Sequence, residues 1–311
     1  MSTNVPTAPL PTPDEPFADV VPFLEDGYVI ARGLFSADEI AGLLTFAKAD
    51  RQLATEAYVR RDSQGGNTRL AVRNDLPEDS PYSAVARSLR VVAPMRRYLG
   101  DEVYHYHHKM MLKEPRVGGA WEWHQDYGYW YDNGCLFPDM GSCLIAVDRA
   151  TRANGCLQVL RGSHHLGRIN HLKSGDQSGA DPERVAAAIE RFELVYCEME
   201  PGDAIFFHCN LLHRSDQNRS DHPRWSLICC YNTQHNDPIF TGGRHPNYSP
   251  LKTWDDERVS RMLVGAAGGP AAAPPPDVHR QSVHEPDRKP ARKPPARKPP
   301  NRKPNDRGDR I

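Results

Sequence analysis

A mainly β fold of the jelly-roll kind, with a helical layer packed on it, is what this 311-residue sequence predicts, and three observations predict it. From Glu102 onward, short apolar or alternating runs follow one another: VYHYHHKMMLK, AWEWHQDYGYWY, GSCLIAVDRA, CLQVLRG, FELVYCEM, DAIFFHCNLLH and RWSLICCYNT. That texture belongs to strands of a sandwich or barrel rather than to alternating β and α units. Turn chemistry separates the runs, with Gly118-Gly119, Asn154-Gly155 and Pro201-Gly202-Asp203. Ahead of them the apolar residues recur at helical spacing, so a helical N-terminal layer is expected to cover a double-sheet core.

In chain order, residues 1–15 read as a flexible N-terminus and 16–264 as one folded domain. ADVVPFLEDG predicts a helix and YVIARGLF a strand. A second helix begins at Ser36, where Ser36 and Glu39 form an S-x-x-E capping box backed by Ile40, Leu43, Leu44 and Ala47. The polar, turn-rich stretch from Arg60 to Asp79 reads either as a flap near a site or as a plain surface loop. Tyr82 to Leu99 reads as a single amphipathic segment ending at Gly100, and a helical interruption is expected at 182–191.

Residues 265–311 lose their apolar clusters and become Ala/Pro-rich, then basic, with Arg-Lys-Pro recurring at Arg288, Arg292, Arg297 and Arg302. Such a repeat cannot bury apolar surface and predicts a disordered tail. It holds eleven Lys and Arg against five Asp and Glu, so a chain whose total charge is −1 divides into a basic end at +6 and an acidic remainder at −7. The tail has the charge to touch nucleic acid, an anionic membrane or an acidic protein, although a solubilising extension is the expected reading. Seven cysteines form an odd set without a CxxC pair, most of them in apolar runs, and read as buried reduced thiols. Neither a signal peptide nor a membrane-length apolar segment stands out, and a cytoplasmic protein is expected.

The chemistry is expected at His124-Gln125-Asp126, where strand alternation turns an imidazole and a carboxylate to one face. His213, 89 residues on and following the run DAIFFHCN, supplies a third ligand. Two imidazoles and one carboxylate hold one face of an octahedral ion and leave three positions open, which suits Fe(II) binding a 2-oxo acid and O₂. Eleven residues after His213, Arg224 offers a guanidinium able to clamp a carboxylate. The same ligand set also suits a zinc hydrolase, and a binding protein that has lost turnover is a further alternative. A second triplet, His235-Asn236-Asp237, lacks a later His and Arg at suitable spacing.

His124-Gln125-Asp126, Asn154-Gly155-Cys156-Leu157 running into Arg161-Gly162-Ser163-His164, Pro201-Gly202-Asp203, and His213 with Ser215 and Arg224 together resemble the phytanoyl-CoA dioxygenase family over residues 20–235. The resemblance implies a double-stranded β-helix, cupin-like, in which His124, Asp126 and His213 bind Fe(II). It implies that Arg224, assisted by Ser215, takes the far carboxylate of 2-oxoglutarate, and that Lys109 and Met111 face the pocket. Leu144 stands where many members carry Trp. Halogenating relatives replace the carboxylate with a small residue, so an intact Asp126 implies hydroxylation or a related oxidation of a small molecule, with release of succinate and CO₂. With the sequence ending Asp309-Arg310-Ile311 and carrying no peroxisomal address, phytanoyl-CoA is not the expected substrate.

Tyr127, Tyr129 and Trp130 follow the metal pair, in a loop that borders substrate in the family; aromatic barrel packing explains them equally well. Strand alternation is expected to separate His107 from His105 and His108 and so to argue against a second metal cluster. His164 and His165 read as parts of a structural turn.

Overall fold

The computed structural model describes residues 20–268, apart from 175, 243 and 244. The N-terminus expected to be flexible, and all but the first four residues of the expected tail, lie outside the described residues. In chain order, α1 (Val20–Asp26) leads into β1 (Tyr28–Ala31), α2 (Ala37–Ala49), α3 (Arg51–Glu56) and the hairpin β2 (Tyr58–Arg61) and β3 (Asn67–Arg73). Helices α4 (Pro81–Arg87) and α5 (Leu89–Leu99) follow, then β4 (Val103–Lys113), β5 (Trp121–His124), the short α6 (Asp126–Trp130), β6 (Met140–Ala146) and β7 (Leu157–Leu160). The remainder is the hairpin β8 (His171–Ser174) and β9 (Gln177–Ala180), α7 (Pro182–Ile189), β10 (Leu194–Cys197), β11 (Ala204–His208), β12 (His213–Ser215), β13 (Arg224–Thr233) and α8 (Asp256–Gly265).

A major sheet in the order β1-β11-β6-β13-β4-β3-β2 faces a minor sheet in the order β10-β7-β12-β5, all antiparallel. The expected jelly roll is therefore present. The major sheet is buried on both faces, which is why its strands read as nearly continuous apolar runs. Phe206, Cys143, Ile145, Leu227 and Cys229 face the helices, while Phe207, Leu144, Ala146, Ile228 and Cys230 face the minor sheet. All seven cysteines are buried and free, as expected.

The helical layer is held to the sheet by polar locks as well as by packing. Ser36 and Glu39 make the predicted capping box, and both Glu39 oxygens also accept from the Arg90 guanidinium of α5 at 2.8 Å. At the turn into β11, Gly202 has φ +93° and lies so close to Phe35 that a Cβ there would fall on the Phe35 carbonyl.

Four sequence expectations need correction. The stretch from Arg60 to Asp79 is, as far as Arg73, mostly the β2–β3 hairpin rather than a plain loop, and Leu70 and Val72 set it beside the cavity described below. Asp62 organises its tip, accepting from the backbone of Gln64, Gly66 and Ala120. The segment from Tyr82 to Leu99 breaks at Ser88, which has ψ 130°. The backbone on either side of Ser88 bonds to Trp254 instead, through Leu89 N–H to Trp254 O and Trp254 N–H to Arg87 O. The run AWEWHQDYGYWY is a strand only as far as His124 and then turns into α6. Finally, the folded unit passes the expected boundary at 264, since α8 ends at Gly265 and Ala266 is buried. Helices α3 and α8 and the β8–β9 hairpin were not anticipated, whereas α7 falls where the helical interruption was expected.

Burial gives the fold a definite response to acid. His105 and His208 are pushed down to about 3, and His107 and His108 well below the ordinary 6.5, in each case chiefly because burial penalises the charged ring. As pH falls through 6.5 the unfolded chain binds protons that these folded rings refuse, so stability is lost. The exposed His235, clamped between Asp101 and Asp139 and raised by them, acts in the opposite sense. Four rings outweigh one: metal-free protein is expected to lose denaturant stability steadily from about pH 7 to pH 5. A flat or rising profile would contradict this.

Candidate active site

Pairing of β12 with β5 sets His213 directly opposite His124. The two rings lie 4.0 Å apart between centroids, and each Nδ1 meets the carbonyl two residues earlier in its own chain, His124 that of Glu122 (2.7 Å) and His213 that of Leu211 (2.8 Å). A carbonyl can only accept, so both Nδ1 atoms carry the proton and both Nε2 lone pairs are free for a cation. Burial lowers both pKa values, for His124 assisted by the neighbouring His213 ring, and keeps the rings neutral. Asp126 opens α6, with Oδ1 3.9 Å from His124 Nε2 and Oδ2 accepting from Ser142 Oγ at 2.8 Å. Among the described residues, His124, Asp126 and His213 form the one group of three such side chains whose ligand atoms lie within 4.8 Å of one another. Two neutral imidazoles and a carboxylate form a donor set that fits Fe(II).

The turn between His124 and Asp126 is held by Gln125, which is fully buried. Its amide donates to the carbonyls of Gly167 and Asn210 and accepts from Ile169 N–H, while its own N–H donates to His171 Nε2. Strand geometry thus ends at His124, before the Asp126 that the sequence placed on the same strand, and side-chain hydrogen bonds do the aiming.

Along the inner face of β4 and β13 the cross-strand partners are Lys109 with Ile228, Met111 with Ser226 and Lys113 with Arg224. Lys109 stands level with the triad, its Nζ 3.9 Å from Asp126 Oδ1. Two residue pairs away, Arg224 is buried with its Nε lacking a partner, and its one hydrogen bond runs to Ser226 Oγ at 3.3 Å. Burial pushes it down to about 10. Beside it, buried Lys113 donates to Ser215 Oγ (2.9 Å) and to the Asp216 carbonyl, and burial with the Arg224 charge holds its amine well below the usual range. A buried guanidinium beside a buried amine that an arriving anion would help to protonate, with no carboxylate between them, forms a receptor for an anion. Lys113 was missed as a site residue; the period-two run Lys109, Met111, Lys113 was the available signal.

A cavity of about 500 Å³ borders the triad and is lined by Lys109, His124, Asp126, Tyr129 and Trp130, by Tyr58, Leu70 and Val72 of the β2–β3 hairpin, and by His107, His171 and His245. Tyr129 donates to the Ser178 carbonyl and packs edge-on against His171. Tyr127 does not line this cavity: its hydroxyl donates to the carbonyls of Cys135 and Leu136 in the wall behind. Met111 shares the face of Lys109 but packs between the sheets outside the cavity lining. His107 does part from His105 and His108, through a bulge rather than through alternation. Cys230 pairs with His107 and Tyr231 with His105, so Tyr106 is the extra residue. His105 and His108 then meet on the helix side at 3.1 Å, while His107 turns to the cavity.

A sequence model of the phytanoyl-CoA dioxygenase (PhyH) family matches residues 23–226. The chain belongs to that family. Ectoine dioxygenase of Sphingopyxis alaskensis is 30% identical over 230 residues, covering 69% of this chain and 74% of the relative. L-proline trans-4-hydroxylase of Streptomyces griseoviridis is 29% identical over 189 residues, 56% of this chain and 69% of the relative. The crystal structure of EctD from S. alaskensis with 2-oxoglutarate and 5-hydroxyectoine superposes with TM-score 0.64 at 25% identity, covering 78% of this chain and 89% of that one. Like its family, this chain is a 2-oxoglutarate-dependent non-haem iron dioxygenase that uses O₂ to oxidise a small molecule, releasing succinate and CO₂. Membership sets aside the zinc-hydrolase and binding-only alternatives. No helix among the described residues is long and apolar enough to cross a membrane.

Gly128 shows how tightly the family's loop is packed here, because a Cβ would fall on the His171 ring. Gly128→Ala is expected to cost about 1–3 kcal/mol in denaturant unfolding through overpacking. Unchanged stability would mean that the ring can move aside freely.

Proposed function

We propose that this dioxygenase holds Fe(II) with His124, Asp126 and His213, binds 2-oxoglutarate between the metal and Arg224, and hydroxylates a small polar molecule in the 500 Å³ cavity. The convergence of two neutral imidazoles and a carboxylate, with His124 and Asp126 in the wall of that cavity and His213 directly behind them, carries the reading. Iron bound there supplies O₂ activation and hydrogen abstraction from substrate.

The remaining work falls to this chain's own side chains. Hydrogen bonds from His124 and His213 Nδ1 to their carbonyls keep Nε2 bare, and Ser142 holds one Asp126 oxygen so that the other stays turned toward the imidazoles. Arg224 and Lys113, whose amine donates to Ser215 Oγ, take the far carboxylate. Lys109 sets a positive charge beside Asp126 for the near carboxylate, and Met111 forms the apolar floor between. Tyr129 and Trp130 wall the cavity against water.

Support for a small polar substrate comes from the lining, which mixes the rings of Tyr58, Trp121, Tyr129 and Trp130 with Arg60, Lys173, Asp132 and Asp176. A long acyl chain finds no continuous apolar wall there. The relatives named above act on ectoine and L-proline, which are compact polar molecules of that kind. We further propose that residues 269–311 take no part in the reaction.

Two variants test the assignment by anaerobic equilibrium binding, without knowledge of the substrate. Asp126→Ala is expected to bind Fe(II) at least about tenfold more weakly, through the loss of its one anionic ligand. Arg224→Ala is expected to bind Fe(II) as the parent does and 2-oxoglutarate at least about tenfold more weakly, the loss of charge-assisted hydrogen bonds to one carboxylate. Parental binding in either variant removes that residue from its role.

A further inference from the structure

We propose a second anion site, separate from the oxygenase centre and independent of its reading, on the outer face of the minor sheet. Its ligand is a compact, multiply charged anion of the phosphate class. A cavity of about 430 Å³ opens there, with Arg152, Arg214 and Arg219 in its lining. On β12, Arg214 stands between His213 and Ser215, so alternation turns it away from the metal ligands, toward the face where it lies over the Trp123 ring.

Each of the three arginines is held by its surroundings. The Arg152 guanidinium stacks 3.6 Å from the Tyr196 ring centroid. Arg214 pairs with Asp216, leaving its buried Nε without a partner. Arg219 is anchored through its backbone, its N–H donating to the Ala153 carbonyl and its own carbonyl accepting from Arg116. The charge is unbalanced. Asp216 is the one acid in the lining, and both its oxygens are taken, by Arg214 and by Gln158 at 2.6 Å. Among the described residues no carboxylate forms an ion pair with the Arg152 or Arg219 guanidinium, and the Glu198 carboxylate, outside the lining, meets Arg152 only at its backbone N–H (2.9 Å). Three guanidinium groups around one cavity repel one another, and the surplus of two positive charges is relieved by one multiply charged anion that accepts from several forks at once. A single carboxylate relieves only half of that surplus.

The test is calorimetric titration of the full, iron-free chain with inorganic phosphate and with diphosphate, in low-salt buffer against chloride controls of equal ionic strength. We expect saturable one-site binding, tighter for diphosphate, that persists in saturating 2-oxoglutarate and is weakened about tenfold by each of Arg152→Ala and Arg219→Ala. No saturable binding beyond the chloride control means a merely solvated arginine surface and overturns the site. Binding abolished by 2-oxoglutarate or by Arg224→Ala, but unaffected by the two outer variants, puts the anion in the inner pocket. Binding that survives the Arg152→Ala/Arg219→Ala double variant puts it elsewhere, the basic tail included. Both of these outcomes overturn the proposal as well.

Discussion

Everything at the active centre depends on β12 lying between β7 and β5 with His213 opposite His124. Antiparallel partners sit close enough for two imidazoles to share one cation, and hydrogen bonds to nearby carbonyls fix both rings in the same tautomer before any metal arrives. The carboxylate of the proposed triad comes from beyond the strand, where the chain turns from β5 into α6, and buried Gln125 holds that turn with four hydrogen bonds. The scaffold thus pays the orientation cost during folding, when it is shared with the rest of the core.

The second constraint is electrostatic. Arg224 and Lys113 are buried side by side, the Arg224 Nε without a partner, an arrangement that weakens the empty protein and, in the proposed reading, strengthens its hold on 2-oxoglutarate. The same trade recurs in milder form in the buried, neutral histidines.

Much of this was legible in the sequence. The strand runs from Glu102 onward and the capping box at Ser36 derive from local chemistry that a sequence displays directly, and the grouping of His124, Asp126 and His213 came from their joint pattern and the resemblance it carries. What escaped was decided at a distance. Trp254 breaks the helix at Ser88 from 166 residues away, the polar stretch after Arg60 becomes a hairpin because β4 offers it an edge, and the bulge at Tyr106 depends on register with β13. The role of Lys113 was hidden by its neighbours Glu114 and Pro115, which made it read as part of a turn. The choice between the two readings of Tyr127, cavity border or aromatic packing, stayed open because sequence proximity to Asp126 does not reveal which way a one-turn helix points.

The central claim is that the triad and the buried cations form one site for iron and a 2-oxo acid. The most direct measurement is anaerobic: add Fe(II) to the metal-free protein, then 2-oxoglutarate, and follow the weak visible charge-transfer absorption of Fe(II) chelated by a 2-oxo acid. A band that saturates with 2-oxoglutarate, and that requires far more of it in Arg224→Ala, is the predicted result. Folded protein that binds iron yet never develops the band would contradict the account.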